Sequence, residues 1–313
     1  MIGYGSYKVI QSQFPAPTLL RLLEPYGQSS PMALLWTLMG ASKSYNLFTG
    51  LIEMTGGVLV IIPRFTTLGS LVLVGAISNV FVLNMSYDVP VKQYSFHLLL
   101  MCLFVVAPDL RRLAGFFVFN RGTEPASDRP LFKRRRLNQG ALALQLVLGA
   151  LFMRSGLHSS YQQARTNGYL APKPALYGIW FVDQFAVDQN AHAPLVTDDI
   201  RWQRVVFDVA STFAVEAMSG SFQFLRVAVD TKKRTLLLEK FDDSLWMPNF
   251  GFVELGGPQW KTSFAFDQPA PDRIMLDGEF EGRRVQAELH RETPKFLLTS
   301  RGFHWINEFW VFS

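Results

Sequence analysis

The chain has little of what builds a self-contained enzyme or a disulfide scaffold. It holds one cysteine, Cys102, in 313 residues, which excludes an intrachain disulfide and leaves the redox compartment unmarked. Charged residues make up only 18% and hydrophobic residues 49%, a balance short of charge for an ordinary soluble protein. It contains no Gly-x-Gly-x-x-Gly, Walker A, Gly-x-Ser-x-Gly, Cys-x-x-Cys or His-Glu-x-x-His pattern. These absences lean the reading away from an enzyme. Residues 1–10 lack the basic start and cleavage site of a secretory leader, so none is expected there.

What charge there is falls unevenly. Residues 1–157 carry 14 Lys/Arg against 6 Asp/Glu, a net of +8; residues 158–313 carry 16 against 19, a net of −3. A basic, apolar half and a slightly acidic, polar half belong in different solvents. The basic excess sits beside hydrophobic runs, where it sets membrane orientation rather than binding nucleic acid.

Residues 65–87 contain no charge, and 23 such residues cross a hydrocarbon core of about 30 Å. Further spans are expected at 44–62, 91–107 and 137–153, with Pro63-Arg64 and Asp88-Val89-Pro90 as turns. Residues 108–121 read as an amphipathic stretch at the interface. The loop 109–136 holds 8 Lys/Arg against 3 Asp/Glu, so it is expected in the cytoplasm and the C-terminal half outside it. Three domains of sequence follow: a helical membrane bundle over 1–157, a linker over 158–175, and a β-rich domain over 176–313. In that last part short runs at 227–229, 235–238, 262–266, 274–280, 285–289 and 296–299 alternate with turn residues. Along 284–290 one face is Val285, Ala287 and Leu289, the other Arg284, Gln286, Glu288 and His290, a strand with one wet side.

Ionisable and amide groups inside spans are costly in lipid and therefore mark candidate sites. Glu53 shares a helix face with Asn46, Gly50 and Gly57. Gln93 and His97 lie one turn apart, and Asn79 lies in the uncharged span. These four, Glu53, His97, Asn79 and Gln93, form the candidate intramembrane polar site, for proton relay, a quinone head group or a helix–helix hydrogen bond. Tyr87, Asp88 and Lys92, with Lys8 and Arg21 expected on the same side, form a candidate outer polar cap. His304 and Glu308 lack a third ligand and a recognised metal spacing, so no metal is expected. Trp180, Trp202, Phe207, Phe222, Phe224, Trp246, Trp260 and Phe266 are expected to be mostly core.

The runs Gly56-Gly-Val-Leu59, Pro63-Arg-Phe-Thr-Thr-Leu-Gly69, Asn84-Met-Ser-Tyr-Asp-Val-Pro-Val-Lys92, Ser95-Phe-His-Leu-Leu-Leu100 and Ala107-Pro-Asp-Leu-Arg-Arg112 resemble the DoxX-like membrane proteins of bacteria. The end, Phe296-Leu-Leu-Thr-Ser-Arg-Gly-Phe-His-Trp-Ile-Asn-Glu308, resembles a subgroup with an extra C-terminal domain. The resemblance implies a multi-pass inner-membrane bundle of about four spans, with residues 1–10 as the end of a cut first helix. Some relatives serve quinone-linked oxidoreductases or periplasmic redox maturation, and most have no assigned activity. A quinone and membrane redox subunits are therefore the implied cofactor and partners, beside the lipid bilayer. Tyr177-Gly-Ile-Trp180, with Arg301 near the end, resembles the lipocalin pattern. That implies an antiparallel barrel, with a sandwich as the alternative from the strand spacing alone. Trp180 and Arg301 would close such a barrel, which could hold a small apolar ligand outside the cytoplasm. A purely structural, partner-docking role is the third reading.

Overall fold

The computed structural model describes every residue except 123–131, 167, 169, 210, 242–245, 248–250, 253–256 and 307–313. Two compact units result: Met1–Phe14 with Ser30–Ala164, and Pro15–Ser29 with Arg165–Ser313.

The first unit is helical. It contains α1 (Ile2–Val9), α3 (Pro31–Ala41), α4 (Lys43–Ile61), α5 (Thr66–Ser86), α6 (Lys92–Val106), α7 (Leu110–Phe117) and most of α8 (Arg135–Thr166); α2 (Leu19–Leu23) falls in the other unit. Local chemistry sets the helix starts. The Ser30 hydroxyl accepts from the Ala33 N–H, with Pro31 at the first helical position, and Ser42 accepts from Tyr45 at the head of α4. Pro63 stops α4 in a short 3-10 turn, Pro63–Phe65. Glycine lets the helices meet. A Cβ on Gly50 would stand 2.8 Å from the Gly5 carbonyl oxygen, and one on Gly69 would stand 2.6 Å from the Val60 nitrogen.

Among the described residues, three helices are long and apolar enough to cross a membrane: Lys43–Ile61, Pro63–Ser86 and Arg135–Thr166. Only 6% of the most apolar stretch of α8 is buried. Its leucines and Phe152 face outward while Gly149, Ser160 and Ala164 face in. That pattern is inverted relative to a helix in water. Two expectations change here. The span expected at 91–107 is a helix of 15 residues, about 22 Å long and short of the hydrocarbon core. The linker expected from 158 begins only after α8 ends at Thr166, because the small inward-facing residues continue to Ala164.

The second unit is all β but for two short helices. Its strands are β1 (Gly178–Val187), β2 (Asn190–Ala191), β3 (Trp202–Asp208), β4 (Thr212–Ala217), β5 (Phe222–Asp230), β6 (Thr235–Lys240), β7 (Trp246–Met247), β8 (Gly251–Phe252), β9 (Trp260–Ala270), β10 (Arg273–Phe280) and β11 (Arg283–Glu292). Eight of them run β1-β3-β4-β5-β6-β9-β10-β11, antiparallel throughout, and β11 pairs back onto β1 from Ile179↔Glu292 to Val187↔Val285. The sheet is therefore a closed up-and-down barrel, the architecture expected of a lipocalin-like domain. Glu281 and Gly282, both at positive φ, turn β10 into β11. Val285, Ala287 and Leu289 are buried as their alternation requires. The run at 296–299, expected as a strand, is instead the short helix α9 (Leu297–Ser300); β11 already closes the sheet, leaving it no edge to join.

Most of the barrel interior is filled. Trp180, Phe185, Trp202, Phe207, Phe213, Phe264, Phe266 and Phe280 interlock with Leu225, Leu236, Ile274 and Leu289 in one apolar cluster. Phe222 and Phe224 lie on the outside, stacked at 6.1 Å and packed under Leu20 of α2. Trp260 packs partly against the interior, and the side chain of Trp246 lies outside the described residues.

Candidate functional site

The helical unit buries charge. Lys8 on α1 and Glu53 on α4 form an ion pair, their side chains only 4% and 2% exposed. The glycine contact between Gly5 and Gly50 brings the two backbones close enough for this pairing. The four residues expected on one face of α4, Asn46, Gly50, Glu53 and Gly57, are all buried. The Lys8 ammonium also lies 5.9 Å from the Tyr4 ring centroid, and Tyr4 stacks on Tyr94 at 5.6 Å. A buried ion pair is stable only when both members keep their partners.

Beside the pair is a cavity of about 290 Å³, bounded by Tyr4, Lys8, Phe14, Trp36, Phe48, Glu53, Gly75, Asn79, Leu83 and Asn84 among others. Two polar atoms of its wall residues are buried without a hydrogen-bond partner: Glu53 Oε2 and Trp36 Nε1. Buried polar atoms are seldom left unpaired, because each costs about 1–3 kcal/mol. The neighbouring amides are anchored. Asn46 Nδ2 donates to the Phe14 carbonyl at 3.0 Å, and Asn84 Nδ2 donates to Ser95 Oγ at 3.0 Å.

Of the four residues expected in the intramembrane site, Glu53 and Asn79 line this cavity. Gln93 and His97 do not; His97 is exposed, and its Nδ1 lies 2.6 Å from the Gln93 carbonyl oxygen. The outer cap also divides. Asp88 and Lys92 pair one turn apart at the surface, while Tyr87 packs against the Phe14, Leu35, Met39 and Val89 cluster. Lys8, expected in that cap, is the buried partner of Glu53. Arg21, also expected there, belongs to the barrel's unit, where it pairs with Glu24.

In the barrel, Trp180 is buried and its Nε1 donates to the Leu176 carbonyl at 2.9 Å. The cation over its ring is Arg291, 5.9 Å from the centroid, ten residues before the Arg301 that the pattern pointed to. Gly178 explains the glycine of Gly-Ile-Trp. Its φ is +151°, and a Cβ there would stand 2.8 Å from Arg291 Nε. Arg301 follows α9. Asp208 is buried beneath α2, accepting from the Leu20 N–H at 3.0 Å and the Val209 N–H at 2.8 Å. Burial pushes its carboxyl above the usual carboxylate range, against the pull of those hydrogen bonds. At one barrel end a depression of about 280 Å³ is bounded by Val187, Ile200, Trp202, Phe280 and Arg283 among others. Glu308 lies outside the described residues. Among those described, no three His, Cys, Asp or Glu side chains cluster as a metal site.

No family model matches the chain. The uncharacterized protein YwoB of Bacillus subtilis (strain 168) is 34% identical over 131 residues, covering 42% of this chain and 80% of YwoB. This chain belongs to the YwoB family. Membership brings no activity with it, since YwoB is itself uncharacterized. A lipocalin-like protein from Bacteroides uniformis ATCC 8492, known from its crystal structure, aligns with 37% of this YwoB-family chain and 98% of its own length, at 15% identity and a TM-score of 0.25. The barrel assignment rests instead on the closure of β11 onto β1.

The pairing of Lys8 with Glu53 and the place of Trp36 in the cavity wall were not legible in the sequence. Lys8 stands in an apolar decapeptide and looks like an interfacial residue; its partner is 45 positions away. Trp36 lies in an apolar helix where any aromatic reads as packing.

Proposed function

We propose that this YwoB-family chain is a multi-pass protein of the bacterial inner membrane that holds an amphipathic molecule, a quinone or a lipid, in the cavity beside Glu53. It would serve a membrane redox or assembly system, as some of the DoxX-like proteins it resembles do. One observation carries the reading: an apolar cavity in a lipid-facing helical unit whose wall includes an ion-paired carboxylate with one oxygen unpartnered. Ligand sites combine an apolar wall with a few polar groups in this way. The alternative, uptake of an apolar cargo into the β domain, would use the depression of about 280 Å³ at one barrel end, whose wall residues carry none of the buried, unpartnered polar atoms found in the helical cavity.

The experiment is binding of short-chain ubiquinone and menaquinone analogues to the full chain in nanodiscs, by calorimetry. Gly75 lines the cavity, and a Cβ there meets nothing within 4 Å. Gly75→Leu should therefore fill the cavity without disturbing the fold and abolish saturable binding. His97→Ala should leave binding intact. Binding that survives Gly75→Leu unchanged overturns the assignment.

Chain connectivity supports a topology. Residues 15–29 belong to the barrel's unit, so they and the barrel belong on one side of the bilayer. An even number of crossings then separates Ser29 from Arg165. The helices α4, α5 and α8 supply three, and α6 supplies the fourth, with Lys92 reaching to the interface and local thinning of the bilayer covering its short length. The positive-inside rule puts Lys133–Arg136 in the cytoplasm and the barrel in the periplasm. Lys232→Cys, in the exposed β5–β6 turn of a Cys102→Ser chain, should react with an impermeant maleimide once the outer membrane alone is opened. Reaction only after lysis reverses the orientation.

A further inference from the structure

A quinone head carries acceptors alone, which meets half of what the cavity wall is short of. Glu53 Oε1 accepts from Lys8, and Glu53 Oε2 is buried with nothing donating to it. Facing a buried ammonium, the carboxylate is an acceptor only. Trp36 Nε1, on another wall residue, is a donor without an acceptor. Asn84, also on the wall, donates to Ser95 Oγ, and Asn46, which does not line the cavity, donates to the Phe14 carbonyl while its Oδ1 is buried without a partner. The unmet need is thus one donor for Glu53 and one acceptor for Trp36. A hydroxyl group is both. The remaining wall is largely aromatic and aliphatic, with Tyr4, Phe14, Phe48 and Leu83 among it.

We infer that the ligand is a hydroxyl-bearing amphiphile, a phenol or hydroquinone type of head on an apolar body, with its O–H donating to Glu53 Oε2 and its oxygen accepting from Trp36 Nε1. This rests on the cavity reading above and adds the chemistry of the head group. It predicts discrimination between the reduced, hydroxyl-bearing form of a carrier and its oxidised form. A site built to hydrogen-bond a hydroxyl rejects the analogue that lacks it, because the wall is then left unpaired.

The test compares 4-heptylphenol with 4-heptylanisole, which keeps the oxygen and loses the donor. Calorimetry on the full chain in nanodiscs should show the phenol at least about tenfold tighter, the scale of one hydrogen bond to a charged acceptor. Trp36→Phe should weaken both ligands by a similar factor. Glu53→Gln should shrink the preference. Should that variant fail to fold, Lys8→Met/Glu53→Leu removes both charges together and should bring the two affinities level. Equal affinity in the unaltered chain, with Gly75→Leu still blocking both, overturns the hydroxyl assignment and leaves the cavity reading standing. That is also the result expected if an ordered water already satisfies Glu53. Saturable binding of neither compound, nor of the quinone analogues, overturns both.

Discussion

The two units differ in the polar share of what they bury. Inside the helical unit lie Ser6, Lys8, Asn46, Glu53, Ser70, Asn84 and Ser95, with glycines at the helix contacts. Inside the barrel lie Trp180, Phe207, Phe213, Phe264 and Leu225, all nearly inaccessible. In water, apolar surface is driven inward and the interior fills to crystal-like density. In lipid that drive is absent; helices associate through small residues and polar contacts, and the apolar side chains face out. The unit with three helices apolar enough to cross a membrane has its cavity beside an ion pair, and the barrel has a packed apolar core that opens in a depression at one end.

Two substitutions should be equally damaging and differ in their remedy. Phe213→Ala removes a fully buried ring and should cost about 3–5 kcal/mol. Glu53→Leu leaves Lys8 buried and unpaired, and should also cost about 3–5 kcal/mol. Adding Lys8→Met to Glu53→Leu should recover most of that loss, since an apolar pair replaces an ionic one. Denaturant midpoints of the full chain in detergent decide it. A double variant no better than the single one would show that the ion pair, and not the solvent around the bundle, holds α1 to α4.

A smaller effect tests Asp208, an acid of the barrel buried outside its apolar core. The fold raises the pKa of Asp208, so the group's contribution is fully present below the unfolded value and is lost as pH rises through the folded one. Asp208→Asn forfeits one of two accepted hydrogen bonds. It should cost about 1 kcal/mol near pH 4 and progressively less toward pH 7. An offset independent of pH would mean that Asp208 does not titrate in the fold. The smallest effect is expected at Lys92→Ala. Its pair with Asp88 is at the surface, with Asp88 82% exposed, and the melting temperature should not move.

Much of this architecture was legible because each solvent imposes its own pattern. Uncharged runs marked the long helices, and period-two alternation with turn residues marked strands such as β11. The Gly-Ile-Trp run located β1, although the arginine over Trp180 proved to be Arg291. What sequence reading missed depends on distance along the chain. No local pattern joins Lys8 to Glu53, or Leu20 to Asp208, 188 positions away. The run Leu297–Ser300 looks like a strand to any local rule, and only the completed ring of strands denies it a partner. The apolar stretch around α6 did not reveal how few of its residues form the helix, since turn and span share the same composition there.

That separation of 188 positions has a consequence in time. Residues 15–29 leave the ribosome before α4, α5 and α8, yet the surface that receives α2 is made of strands near residues 206 and 214. At about 5–20 residues per second, α2 waits roughly ten to forty seconds for its binding face. During that interval Leu19, Leu20 and Leu23 have no barrel to cover them, so early synthesis is the stage at which this chain most needs a chaperone.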